Sequence, residues 1–243
     1  MHSDFMPGPK VRFQIDEKKD IKTFFCFSDD TEYDGGRSLN WAILKKYPEL
    51  KEQFKDNVFV GEKKYIEEFV LNLYQNEEKV MNENLELYEK KWRKIEKEFY
   101  RLTDALFPLR KWPVGKYISY PTIWGMYPRF LDDKTFQVPF NAKEEKSVNI
   151  IIAHEMLHFV FYDYFLEKYP EYDEHSMVAW HTSEIFNVII QNLPEWIKVF
   201  EIPSGAYPEH EKIITEIQNE KREVWAVDEL TERILVEVKK MDK

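Results

Sequence analysis

Two histidines and a glutamate stand inside an apolar run, "NIIIAHEMLHFVFYDYF", residues 149–165. Burying such groups without partners costs free energy. His154 and His158 are four residues apart, so on a helix both imidazoles share one face, one turn from each other. Two ring nitrogens so placed can grip one Zn²⁺. Glu155 points to a neighbouring direction, where it can act as a general base toward water at the metal. This is the logic of an H-E-x-x-H helix, and a bound metal accounts for the buried polar groups. Without a metal, the same residues could be two core histidines satisfied by backbone carbonyls and a salt-bridged glutamate.

A catalytic zinc site needs a third protein ligand. The metzincin pattern would put a histidine six residues after His158 and a glycine three residues after it; those positions hold Tyr164 and Phe161. A deformylase-type cysteine motif is also absent, because the single cysteine, Cys26, sits in "FFCFS". There remains an acidic residue on a following helix. "AWHTSEIFNVII" (179–190) offers Glu184, 26 positions after His158, on a segment that can fold back against the first helix. His181, one turn earlier on the same face, is a rival as ligand, supporting residue or substrate contact. Glu174 and His175 stand near the start of that helix and are expected to lie too far away.

"HEMLH" with "SEIFN" resembles the gluzincin class of zinc metallopeptidases, the thermolysin-like superfamily, over about residues 115–192. The resemblance implies that His154, His158 and Glu184 hold Zn²⁺ and that Glu155 is the general base of peptide-bond hydrolysis. It also implies an extended peptide substrate along an edge strand before the metal helix, here "KTFQVPFN" (134–141). An oxyanion donor is expected after the third ligand, for which "GAYPEH" offers Tyr207 and His210. The chain departs from thermolysin-like enzymes in two places. Ser183 precedes Glu184, and Val188 stands where an Asp supporting the first histidine is usual; Asn187 is expected to bond an imidazole instead.

The elements that must position these residues follow from periodicity. Residues 11–28 read as two short strands with a charged turn, and 39–54 as helical with Pro48 interrupting. Apolar residues at helical spacing from Lys63 to Leu106 predict one long helix or a hairpin with its hinge at "MNENLE" (81–86). Two strands are expected at 117–126 and 134–140, the second at a sheet edge because of Pro139. Ser147 is expected to cap the metal helix, running to about Lys168, and Asp173 the next, running through Asn192. Residues 211–240 read as helical. The fold class is therefore α+β: a small mixed or antiparallel sheet on a central metal helix, with a mostly helical remainder. Residues 1–110 read as a strand-plus-long-helix region whose role the sequence leaves open, a substrate-selecting lobe and a cover for the cleft being the two alternatives, and the resemblance implies a zincin-like catalytic domain at 111–243.

The net charge of −10 disfavours binding to nucleic acid or to an anionic membrane by charge alone. No stretch reads as a transmembrane span, since the most apolar one holds His, Glu, His and Asp. The N-terminus lacks the order of a signal peptide, and one cysteine cannot make an internal disulfide, so a cytoplasmic setting is expected. Two other functions stay open on the sequence: a zinc hydrolase of a non-peptide amide or ester, and a non-catalytic protein that uses a metal for stability and binds a partner.

Overall fold

A computed structural model describes residues 8–28, 39–141, 145–220 and 226–241. Strand β1 (Arg12–Phe13) leads into helix α1 (Glu17–Phe27). The second strand expected here is a helix. Asp16 caps it by accepting from the Lys18 N–H, and Glu17 and Asp20 in its first turn complement the helix dipole. The run "FFCF" imitates a strand, but burial recurs at Asp20, Thr23 and Phe24, at helical spacing. Helix α2 (Leu39–Lys46) ends before Pro48, where a 3₁₀ turn (Pro48–Gln53) takes over. A two-stranded ribbon, β2 (Phe54–Lys55) and β3 (Val58–Phe59), follows.

Helix α3 (Lys63–Leu106) is one unbroken helix of 44 residues. No hinge forms at 81–86, because Met81, Leu85 and Tyr88 carry the buried stripe through it. Asn84 also donates to the Phe140 carbonyl at 3.0 Å. The sheet comprises β1, β4 (Ile118–Thr122), β6 (Thr135–Pro139) and β5 (Arg129–Phe130), in that order. β1, β4 and β6 are parallel, and β5 is antiparallel to β6.

The order corrects the expectation that 134–141 is the edge strand. β6 is an interior strand, and the edges are β1 and β5, the latter from the segment "YPRFLDD" that read as a connector. Pro139 is tolerated for a local reason. Phe140 donates to Thr122 on β4, and Gln137 donates to Pro128 on the opposite side. Alternation then turns the Pro139 nitrogen to the β5 side, beyond the end of β5, so no ladder bond is lost.

Helix α4 (Glu145–Lys168) lies against β6, with Phe159 packing on Phe136 (ring centroids 6.2 Å). Helix α5 (Met177–Gln191) lies beside it, with Phe161 and Phe186 at 4.6 Å. Ser147 sits inside α4, and residues 142–144 fall outside the described residues. The cap of α5 is Ser176, which accepts from the Ala179 N–H; Asp173 instead accepts from the His175 N–H. Pro194 ends one helix and opens another, α6 (Pro194–Phe200), as suits a residue with no N–H to lose at a first turn. The C-terminal helical stretch is described as α7 (Glu211–Gln218) and α8 (Val227–Met241), with 221–225 outside the described residues.

Two apolar cores result. One gathers Tyr88, Trp92 and Phe99 of α3 with β6, α4, α5, α7 and α8. The other gathers α1, α2 and the first half of α3 with Ile123, Trp124 and Met126. Both draw on residues from either side of position 110. Among the described residues, no helix is long and apolar enough to cross a membrane.

Candidate metal centre and cleft

α4 and α5 pack side by side, and each presents a polar stripe to the other from an otherwise apolar surface. From α4 come His154, Glu155 and His158; from α5 come Ser183, Glu184, Asn187 and Gln191, all buried. One ligating atom from each of His154, His158 and Glu184 lies within 4.8 Å of the others. His154 Nε2 is 3.0 Å from Glu184 Oε2. His158 Nε2 is 3.3 Å from Glu184 Oε1, out of line for a hydrogen bond, and it has no hydrogen-bond partner.

The donor set fits a cation. Gln191 Nε2 donates to the Ile150 carbonyl at 3.0 Å, so Gln191 Oε1, 2.9 Å from His154 Nδ1, must accept from that ring nitrogen. Neutral His154 then aims the lone pair of Nε2 at a carboxylate oxygen. Two acceptors at 3.0 Å repel unless a proton or a metal ion lies between them. His158 Nδ1 pairs with Ser183 Oγ, a hydroxyl that can donate or accept, and Nε2 turns to the same point without a partner. Orienting each imidazole through its second nitrogen is what a metal-ligating histidine requires.

The electrostatics differ between the two rings. Burial, helped by Arg129, lowers His158 to about 3, so its ring is neutral with a lone pair to give. Burial also works to lower His154, but the Glu184 carboxylate outweighs it and raises the ring above its ordinary value. Burial alone would raise Glu184; the two imidazoles and Arg129 hold it well below the carboxylate range. Arg129 Nη1 donates to Glu184 Oε1 at 3.0 Å, and Nη2 donates to the Tyr162 hydroxyl at 3.0 Å. Glu155 is 6% exposed, its Oε2 has no partner, and burial raises it to about 7.

His154, Glu155, Glu184 and Arg129 line a cleft of about 1060 Å³. Its far wall includes Lys22, Cys26 and Phe27 of α1, so the N-terminal region shapes the cleft. His181 and Tyr207 also line it. His181 stands outside the convergent cluster; its Nδ1 is 2.7 Å from His210 Nε2. His210 is fully buried behind the wall. His175 and Glu174 stand 3.6 Å apart, and the His175 side chain is 86% exposed.

Comparison with family models, with curated proteins and with solved structures finds no match to this chain.

Sequence reasoning missed Arg129, Tyr162 and Gln191 and misassigned Asn187. Asn187 Nδ2 donates to the His154 carbonyl, not to an imidazole; the imidazole is held by Gln191, a turn further along α5. The signal was present: Ser183, Asn187 and Gln191 recur every fourth residue in an apolar helix. Arg129 carried no such signal, being in a short stretch without periodicity.

Proposed function

We propose that this chain is a zinc-dependent metallopeptidase of gluzincin type, with His154, His158 and Glu184 as ligands and Glu155 as general base. The observation that carries the proposal is the convergence of two imidazole nitrogens and a carboxylate on one point, beside a buried glutamate with an unpartnered oxygen, in an open cleft. A purely structural site has no use for Glu155 in that position.

Bound zinc would supply an acidified water and a Lewis acid for the scissile carbonyl. Glu155 accepts the proton of the attacking water and returns it to the leaving amine. A carboxyl raised to about 7 is suited to both transfers near neutral pH. Arg129 offsets the charge of Glu184 and fixes its orientation through Oε1, the oxygen that also faces His158. Substrate backbone can be held at the free edge of β5. Gln137 bonds Pro128, so the next pair bonded to β6 is Phe130 with Thr135, and the Arg129 N–H and C=O turn to the open side. A peptide in extended form can add there as a further strand.

The test is hydrolysis of a peptide pool and of denatured proteins, with fragments identified by mass spectrometry. Zinc-loaded wild type is expected to cut, and Glu155→Gln to cut about 10²–10⁴-fold more slowly while keeping its zinc. Equal rates would remove Glu155 from the chemistry. Zinc-bound protein that cuts nothing would end the peptidase reading.

A further inference from the structure

His181 and His210 form a second imidazole pair that the metal centre and its general base leave unused. His181 lies one turn before Glu184 on α5, and both residues line the cleft. His210 opens α7 and is fully buried, with Trp180 at 5.5 Å and Tyr207 at 5.6 Å between ring centroids. The loop before it is pinned by Asn192, whose amide nitrogen donates to the Ser204 carbonyl while its oxygen accepts from the Ser204 N–H. Both the loop and the helix that hold the pair are therefore fixed.

At 2.7 Å the two facing nitrogens, His181 Nδ1 and His210 Nε2, share one proton. Two arrangements exist for neutral rings. If His181 Nδ1 carries the proton, His210 must carry its own on Nδ1, which is buried and has no partner. That arrangement strands a buried N–H donor. If His210 Nε2 carries the proton, the stranded atom is a bare acceptor, the less costly of the two. The second arrangement leaves the His181 proton on Nε2, at the far end of a ring whose Nδ1 is turned to the buried side.

Resting on the peptidase reading, we propose that His181 Nε2–H is the oxyanion donor of this site, and that His210 is the positioning residue that holds His181 in that tautomer. The resemblance to gluzincins put a donor after the third ligand, at Tyr207 or His210. The geometry puts it before the ligand, on the ligand's own helix, with His210 one step behind. A neutral donor suits the task, because it needs no reorganisation as charge develops on the carbonyl oxygen.

The tautomer can be read directly. Two-bond ¹⁵N–¹H spectra of the wild-type histidine rings are expected to report an Nε2–H form for His181; an Nδ1–H form would overturn the inference. In kinetics on a cleaved peptide, His181→Ala is expected to lower kcat about 10²–10³-fold. KM and zinc content should be nearly unchanged. His210→Gln keeps an amide N–H that can reach His181 Nδ1, so it should retain more of kcat than His210→Leu. Wild type and His181→Ala cutting at the same rate would overturn the inference alone. Zinc-bound wild type that cuts nothing would overturn the peptidase reading and this inference with it. Loss of zinc in His181→Ala would make His181 a metal residue and overturn its role as donor.

Discussion

Asp20 and Glu155 are both buried carboxyls raised above their ordinary range by burial, Asp20 to about 6 and Glu155 to about 7. Their surroundings differ. Asp20 Oδ2 accepts from the Tyr74 hydroxyl at 2.8 Å and from the Ile123 N–H at 2.9 Å, and Oδ1 accepts from Gln137 Nε2 at 2.7 Å. Gln137 in turn accepts from the Thr23 hydroxyl at 2.6 Å. Around Asp20 the circuit closes, and it ties α1, α3, β6 and the turn after β4 into one unit. Around Glu155 it stays open, with Glu155 Oε2 and His158 Nε2 both lacking partners. A closed buried network specifies a fold; an open one beside a cleft is arranged for groups from outside the chain.

Substitution at the two carboxyls should separate these roles. Glu155→Gln should give the largest change, the about 10²–10⁴-fold loss of hydrolysis, with no loss of thermal stability in the zinc-bound protein. Asp20→Ala strands the Ile123 N–H and the Gln137 amide, and leaves the Tyr74 hydroxyl only the Pro121 carbonyl at 3.2 Å. It should cost about 2–4 kcal/mol in urea unfolding and leave zinc affinity unchanged. If Asp20→Ala lost zinc at full folding, the two networks would not be separate.

The Asp20 circuit also predicts a pH dependence. A carboxyl raised from 3.8 to about 6 on folding binds more protons in the folded than in the unfolded chain between those values. Its contribution is therefore greatest below about pH 4 and declines as pH rises through about 6, by roughly 3 kcal/mol at most. Comparing urea unfolding of metal-free wild type and Asp20→Asn across that window isolates the effect, since Asn does not titrate. Parallel curves would remove it.

The smallest expected effect comes from loosening the open network without removing a ligand. Gln191→Leu deletes the acceptor that sets the His154 tautomer, and it should weaken zinc binding by about 10–100-fold. Asn187→Leu, which releases only the His154 carbonyl, should have less effect on zinc affinity. The reverse order in competition with a chelator would assign the tautomer to another group.

The contrast between the networks also explains which residues the sequence reveals. His154, Glu155, His158 and Glu184 were legible because each is a charged or titratable type at helical spacing within an apolar run. The long α3 was legible from its stripe, although its continuity through 81–86 was not. Asp20 was hidden, because its partners come from β6, α3 and the turn after β4, and no local pattern announces contacts so distant in sequence. Arg129 was hidden for the same reason: a two-residue strand has no period. α1 was misread because "FFCF" alternates poorly and the Asp16 cap was the stronger signal.

The central claim is a metal held by three named side chains, and zinc stoichiometry tests it most directly. Protein stripped with chelator, reloaded with zinc at neutral pH and desalted should hold about one zinc per chain by elemental analysis. His154→Ala, His158→Ala and Glu184→Ala, each shown to be folded by circular dichroism, should hold little. Wild type without stoichiometric zinc, or folded variants that retain as much as wild type, would contradict the account.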